Sequence, residues 1–454
     1  VPRRGEDALT GVLGGGGYPD SILTAARERA AVLPTFCGPD ERLGLVDSRD
    51  DTALIDLLAG IFAGVPLALL GTGAVTNAAR ELARRAQCAA ILHCGETEEI
   101  EYIPDAAASP RFGLSESDSL EAVVLFTSGT TGRPKGVRLS RANVLSNLTA
   151  MLRITDPWTP ADRLGQVLTI SHSFGLSMAL MAIARGTPIV WLPDGAPGRA
   201  MSEAIDVHGV TVFACVPYFL RLMARRGISL GGESARSIRR LFLAGGGIAD
   251  GEIAQLLPDL GGPLYLMYGF TETTARAAVR RHGDGAPTGS VGLPLPGTHI
   301  DIVSPEGVVM PIGAEGLVRA TGPSLMIGYL GEPPRTPGNP ITTSDLGRLD
   351  DGGNLFITGR EVEMMNFRGN RVSIVRIEAQ AMRVDGVLDA RAIPESRAED
   401  AQCLLRVVLA EGAQMSSVRR VLIATIEPRG IIAGIARVES LPKTRSGKAI
   451  RFED

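Results

Sequence analysis

The sequence predicts an α/β protein: a large N-terminal α/β region of several subdomains, followed by a small C-terminal α+β domain. Three observations predict this. From about residue 120 to 270, short apolar runs alternate with segments whose apolar spacing suits helices. From about 286 to 358 the texture changes to short β segments punctuated by Gly and Pro. A last stretch of about 95 residues, beginning near Gly359, carries apolar runs of its own. The expected boundaries are 1–358 for the large domain and 359–454 for the small one.

In chain order, Gly14–Gly17 is a low-complexity patch, expected as a flexible loop near the chain end. Leu54–Leu70 reads as a helix followed by a strand around Pro66–Leu70, which makes 1–118 a further α/β region. Val123–Phe126, Val167–Ile170, Pro188–Leu192, Val210–Val216, Leu241–Ala244 and Leu264–Met267 read as buried strands. Asn143–Leu152, Leu176–Ala184 and Ile253–Leu257 read as the helices between them, so the sheet should be largely parallel. Gly313–Thr321 and Asn354–Ile357 follow as β segments, and Leu404–Leu409 and Val421–Ile426 as strands of the small domain.

Bulk properties narrow the function classes. The 454 residues carry 46 basic and 50 acidic side chains with no basic block, which argues against nucleic acid as the principal partner. Cys37, Cys88, Cys94, Cys215 and Cys403 form no CxxC or Cys/His cluster, as expected of a reduced cytoplasmic protein without structural zinc. The longest apolar stretch, Leu57–Leu70, is too short to span a bilayer and contains Pro66, so a soluble protein without a membrane span is expected. Arg3 and Arg4 are followed by Glu6 and Asp7 rather than by the apolar core of a signal peptide.

Chemistry concentrates in Val124–Val137. A buried strand runs into Thr127, Ser128, Gly129, Thr130, Thr131 and Gly132, followed by Lys135. Glycines let backbone amides approach an anion, hydroxyls add donors, and the lysine supplies countercharge. An ordinary surface turn would explain the Gly and Pro but not two hydroxyl-bearing pairs, each closed by glycine, ahead of a lysine. The segment is not a Walker A loop, because Pro134-Lys135-Gly136 stands where Gly-Lys-Ser/Thr would be required.

This loop resembles the signature of the adenylate-forming superfamily, which includes acyl- and aryl-CoA ligases, luciferases and nonribosomal peptide synthetase adenylation domains. Further motifs follow in the family's order. Tyr268-Gly269-Phe270-Thr271-Glu272-Thr273 resembles the motif whose aromatic contacts adenine, whose Thr contacts the α-phosphate and whose Glu holds Mg²⁺. Gly328-Tyr329 matches a structural motif. Thr343-Ser-Asp345-Leu-Gly347 resembles the segment whose Asp binds the ribose hydroxyls. Gly359-Arg360 begins the hinge motif, with Arg360 among the nucleotide-binding residues. Leu441–Lys448 carries the C-terminal catalytic lysine, Lys448.

The resemblance covers nearly everything from about Leu54 to Arg451. It implies ATP and Mg²⁺ as cofactors, Lys448, Glu272 and Thr271 as catalytic residues, and Lys135 with the loop hydroxyls as ligands of the β/γ-phosphates. Those residue types suit the chemistry, because a carboxylate attacking the α-phosphate brings two anions together. Glu272 and Asp345 as surface carboxylates, and Lys448 as a solvated lysine, are the ordinary alternatives. The joint, ordered occurrence of the motifs argues against them.

In the family the position of Ser171-His172-Ser-Phe174-Gly borders the acyl pocket, and His172, Phe174, Phe270, Ala244, Gly245 and Gly246 are the expected pocket residues. The ordinary alternative for His172 is a satisfied core histidine. Amino-acid-activating members place an Asp here to pair the ammonium; this chain has none, and an unpaired buried ammonium is costly. A small, non-α-amino carboxylic acid is therefore expected. The hinge position after Gly359-Arg360-Glu361, Asp or Lys in the family, is Val362, a stiffer residue. The expected product is a thioester of CoA, with a carrier-protein phosphopantetheine or an amine as alternative acceptors, and a non-catalytic adenylate-binding relative as the alternative class.

Overall fold

The structure, a computed structural model, describes residues 12–13, 19–38, 41–94, 98–103, 121–127, 134–159, 161–193, 198–226, 238–258, 260–368, 370–395 and 401–442. Gly14–Gly17, Ser128–Gly132 and Lys448 lie outside the described residues. The fold is mixed α/β, and the chain divides into two compact units. One comprises residues 1–300, 320–341 and 353–355; the other comprises 301–319, 342–352 and 356–454.

The first unit contains two seven-stranded sheets. In one, neighbouring strands run in the order Gly328–Tyr329, Lys135–Ser140, Glu121–Thr127, Leu67–Thr72, Arg42–Asp47, Cys88–Cys94 and Glu98–Tyr102. The other runs Leu293–Pro294, Ala278–Arg281, Leu264–Tyr268, Arg240–Leu243, Val212–Cys215, Leu164–Gln166 and Ile189–Trp191; its last five strands are parallel. One continuous core joins the two sheets through the helices Arg141–Ile154 and Ser173–Ala184, with Leu125, Leu148, Met151, Leu180 and Phe242 all in it. The first of these helices starts where it does because Ser140 and Asn143 bond each other's backbone N–H reciprocally.

A polar cluster is also buried in this unit. Both oxygens of Glu121 are held by Arg42 and Arg138, and Arg42 Nη1 donates to Ala86 O (2.9 Å). Burial alone would raise the Glu121 pKa, but the hydrogen bond and charge of Arg42, with those of Arg138, outweigh it and hold the carboxyl below its usual range.

The second unit holds a four-stranded sheet in the order His299–Val303, Gly316–Thr321, Ile341–Leu349 and Leu355–Arg360. It also holds the hairpin Met364–Phe367/Asn370–Ser373 and a three-stranded sheet of Val387–Pro394, Cys403–Leu409 and Ile432–Arg437. The helices Ile374–Ala381 and Met415–Thr425 contribute Ile377, Val418 and Leu422 to a core shared with Leu405 and Val407.

Two expected elements are corrected. Val167–Ile170 is not a strand; the strand is Leu164–Gln166. Ile170 is buried in a turn whose backbone is satisfied by side chains: its N–H donates to Asp47 Oδ2 (2.8 Å), and that of Ser171 donates to Thr169 Oγ1 (2.9 Å). Val421–Ile426 belongs to the helix Met415–Thr425 and its end, not to a strand. Val418 and Leu422, four apart, face the core while Val421 and Ile423 are exposed, which is helical rather than alternating burial.

Among the described residues no helix is long and apolar enough to cross a membrane.

Candidate nucleotide and acyl site

Four parallel strands, Leu164–Gln166, Val212–Cys215, Arg240–Leu243 and Leu264–Tyr268, end on one edge of their sheet. The carboxyl ends of such strands are where open α/β sheets take ligands. The connections that leave this edge carry His172, Ala244, Gly245, Gly246, Phe270, Thr271 and Glu272. One pattern in the sequence thus acquires a common location.

The turn after Tyr268 is tightly determined. A Cβ on Gly269 would lie 2.1 Å from Ala275 O, so only glycine fits there. Thr271–Thr273 forms one 3₁₀ turn, and Thr274 (φ 59°) and Ala275 (φ 103°) then take left-handed backbone. Such backbone costs a non-glycine residue on the order of 1–3 kcal/mol and persists where its surroundings over-determine it. Here Met326 N–H donates to Glu272 O (2.8 Å) and Thr274 Oγ1 to Ser324 O (2.6 Å). Asn147, on the helix Arg141–Ile154, donates from Nδ2 to both Thr273 O (3.1 Å) and Arg276 O (2.8 Å) and is 2% exposed. Asn147 is a positioning residue that sequence reasoning missed.

Glu272 is half-buried, and the Tyr329 hydroxyl donates to its Oε1 (2.8 Å). Burial, then the charge and the hydrogen bond of Glu272, push the Tyr329 pKa up and keep the phenol a donor. Lys135 Nζ stands 5.0 Å from the centroid of the same ring. Tyr329 reaches this position because Gly328–Tyr329 pairs with the strand that Lys135 opens, and because Gly136 has no Cβ to meet Leu330. Thr127, the last residue of the preceding strand, pairs with Lys135 across the loop. Among the described residues no group of three His, Cys, Asp or Glu side chains converges. A single carboxylate with one oxygen engaged by a neutral hydroxyl fits Mg²⁺, which keeps waters and takes phosphate oxygens rather than a full protein cage.

His172 is exposed and caps the backbone of the helix Ser173–Ala184, which corrects the alternative of a core histidine. Ser173 Oγ and Thr271 Oγ1 share a hydrogen bond at 3.5 Å, and the Phe174 ring lies 5.4 Å from the Arg276 guanidinium. Tyr268 and Phe270 meet with ring centroids 6.2 Å apart at 58°. Gly245 (φ 79°) and Gly246 run exposed past Val216 and Pro217, and Ala244 is half-buried. In the second unit, Asp345 is 6% exposed and accepts from Arg360 Nε (2.7 Å), so two of the expected nucleotide-binding residues meet there. Glu361, Val362 and Glu363 form a 3₁₀ turn directly after Arg360.

Residues 37–330 match the family model described as AMP-binding enzyme. A 2-succinylbenzoate–CoA ligase of Bacillus cytotoxicus is 30% identical over 312 residues, 66% of this chain and 62% of that protein. An L-proline–[L-prolyl-carrier protein] ligase of Streptomyces coelicolor is 28% identical over 348 residues, 72% of this chain and 64% of that protein. The matches therefore span less than two thirds of these curated relatives. ATP-bound MatB from Rhodopseudomonas palustris shares the fold, with a TM-score of 0.81 at 22% identity over 98% of this chain and 97% of that one. The chain belongs to the AMP-binding enzyme family, the adenylate-forming superfamily.

Proposed function

We propose that the chain is an ATP-dependent acid–thiol ligase. It activates a small, non-α-amino carboxylic acid as acyl-AMP and passes the acyl group to a thiol, that of CoA ahead of a carrier-protein phosphopantetheine. The observation that carries this reading is the junction of Glu272, Tyr329 and Lys135 beside Thr271, where a carboxylate and a lysine are engaged by one neutral phenol.

In the first step a carboxylate oxygen of the acid bonds to the α-phosphorus. The bond from that phosphorus to the α/β-bridging oxygen breaks, and pyrophosphate leaves with the electron pair. Glu272 would hold Mg²⁺, which when bound draws charge from the phosphate oxygens. Lys135, Thr127 and Ser128–Gly132 would hold the β/γ-phosphates, and Thr271 the α-phosphate. Tyr268 and Gly269 would face the adenine, and Asp345 would accept the ribose hydroxyls beside Arg360. Lys448 would stabilise the charge that shifts at the α-phosphate. His172, Phe174, Ala244, Gly245, Gly246 and Phe270 would border the acyl group. In this reading residues 1–358 form the adenylation domain and 359–454 the mobile domain that serves the second step.

The test is carboxylate-dependent ATP–pyrophosphate exchange with Mg²⁺ over fatty, aryl, hydroxy and amino acids, with Lys448→Ala alongside. Exchange with one acid class, lost in Lys448→Ala while ATP still binds, is expected. ATP binding without exchange for any acid would replace the ligase by a binding protein, and undiminished exchange in the variant would sink the role of Lys448. Adding CoA, a phosphopantetheinylated carrier protein or an amine to the pre-formed acyl-AMP then identifies the acceptor.

A further inference from the structure

Residues 167–172 connect the strand Leu164–Gln166 to the helix Ser173–Ala184. The connection lies beside the proposed activation site, because Ser173 Oγ stands 3.5 Å from Thr271 Oγ1. It is neither helix nor strand, so its backbone groups need partners from elsewhere. Two anchors come from the other seven-stranded sheet. Asp47, the last residue of the strand Arg42–Asp47, is 1% exposed; its Oδ2 accepts the Ile170 N–H (2.8 Å), and its carboxylate also accepts the Thr169 hydroxyl. Thr169 Oγ1 accepts the Ser171 N–H in turn (2.9 Å). On the neighbouring strand Leu67–Thr72, Gly71 O accepts from Ser171 Oγ (3.1 Å).

Both anchors are built into the strand ends. The two strands pair Leu45 with Leu69 but Asp47 with Thr72, a slip of one residue, and Gly71 takes φ 110° there. Such bulges re-aim the groups at a strand end. Asp47 Oδ1 is itself fixed by the Arg49 N–H (2.8 Å). Burial raises the Asp47 pKa more than these hydrogen bonds and the charge of Arg49 lower it, and a carboxyl whose pKa rises on folding costs stability at neutral pH. The connection is also fastened to the helix it feeds. Gln166, 1% exposed, donates from Nε2 to Leu168 O (2.5 Å) and Gly175 O (3.2 Å), and a Cβ on Gly175 would lie 2.0 Å from Thr169 O. A shift at Thr169 is therefore passed to the first helical turn, which carries Phe174.

We infer that Asp47 is a positioning residue for the acid: from a strand of the other sheet it fixes the connection that brings His172 and Phe174 to the acyl group. That these two border the acyl group rests on the proposed function; the hold of Asp47 on the connection does not. ATP belongs in that reading to the Glu272 turn, which Asn147 anchors from a different element, so loosening Asp47 should be felt by the acid alone.

Asp47→Asn, close in size, sets an amide donor against one of the two backbone N–H groups, and Thr169→Val, also close in size, removes the hydroxyl. In the exchange assay on the full chain, with the acid that wild type prefers, each should raise KM for the acid about tenfold or more and leave KM for ATP within about twofold. A merely structural role lowers the folded fraction, hence the apparent kcat, and leaves both KM values unchanged. Hydrogen–deuterium exchange followed by mass spectrometry needs no substrate: it should quicken in residues 167–176 of the variants and keep the wild-type rate in residues 264–276.

Where wild type is active the KM split decides, and any other pattern of the two KM values overturns the inference while leaving the ligase reading standing. Wild type without exchange for any acid sinks the ligase reading, and hydrogen exchange then decides alone. Quickening confined to residues 167–176 upholds the hold of Asp47 on the connection; quickening throughout the first unit, or none, overturns it. Should Asp47→Asn fail to fold, Thr169→Val decides by the same two readouts.

Discussion

Replacing Asn147 by Ala should loosen the Glu272 turn from behind without touching any residue assigned to ATP. The side-chain amide donates to two backbone carbonyls, Thr273 O and Arg276 O, and all three groups are buried. Each orphaned carbonyl loses about 1–3 kcal/mol, so the expected loss is about 2–6 kcal/mol, lower if water enters the vacated space. Thr274 and Ala275 lose at the same time part of what holds their left-handed backbone.

The chain has two tryptophans, Trp158 and Trp191, and both lie in the first unit, so tryptophan fluorescence in urea reads that unit alone. At a slope of about 3 kcal/mol/M, a loss of ~2 kcal/mol moves the midpoint by roughly 0.7 M. Asn147→Asp, close in size, separates volume from hydrogen bonding, because a carboxylate facing two carbonyls should be worse than Ala. A midpoint change worth less than about 0.5 kcal/mol in both variants would refute the reasoning, since that is the usual effect of a surface change.

Tyr329→Phe removes a hydrogen bond to a carboxylate, worth about 1.5–3 kcal/mol, so exchange should fall roughly 10- to 150-fold and need more Mg²⁺; an unchanged Mg²⁺ titration would exclude Tyr329 as the residue that orients Glu272. Gly269→Ala should abolish exchange and lower the urea midpoint, because its Cβ has only the space occupied by Ala275 O; wild-type exchange would contradict that steric argument. Glu121→Gln leaves Arg42 and Arg138 buried without their countercharge, and a loss of about 3–5 kcal/mol is expected by urea denaturation. The Glu121 pKa is depressed on folding, so its stabilisation is complete at neutral pH and is lost as pH falls through the folded value. Below about pH 4.5, near the ordinary carboxyl value, wild type should lose more stability than Glu121→Gln, and parallel pH profiles would contradict the ion-pair reading.

The strands and helices of the first unit were legible where an apolar run had one period and one length, as at Glu121–Thr127 and Arg141–Ile154. Elements of either unit were misread where a run was too short to have a period. Val421–Ile426 contains six residues that suit a buried strand or one and a half helical turns, and only the flanking Val418 decides between them. Ile170 shows that burial does not require a strand when an aspartate accepts the backbone N–H. The site was legible as motifs, since residues adjacent in sequence act together there. It was not legible where partners are remote: Asn147 serves carbonyls 126 and 129 positions away, and Tyr329 meets Glu272 across 57. Arg276 gave no signal at all, because one arginine among many looks solvated until the fold buries it.

These remote contacts divide the first unit's charges into two kinds. Away from the Glu272 turn, several buried or half-buried charges are closed into pairs: Glu121 with Arg42 and Arg138, Asp250 with Arg280, Asp162 with Arg240. Around the turn the structural work is done by neutral groups, namely the Asn147 amide, the Thr274 hydroxyl and the Met326 N–H. Among the described residues the charges there meet neutral partners: Glu272 a phenol, Lys135 the same phenol's ring, Arg276 two thioethers and a ring. An ion pair in those places would hold the turn as well, but a substrate would then have to break it. Holding the backbone with uncharged donors leaves Lys135 and one metal-compatible carboxylate oriented before any anion arrives, and preorganisation of that kind stabilises a transition state without reorganisation during the reaction. The neutral scaffold at Asn147 and the neutral partners of Glu272 and Lys135 are thus one arrangement, in which stability is held by groups that do not compete with an anionic substrate for charge.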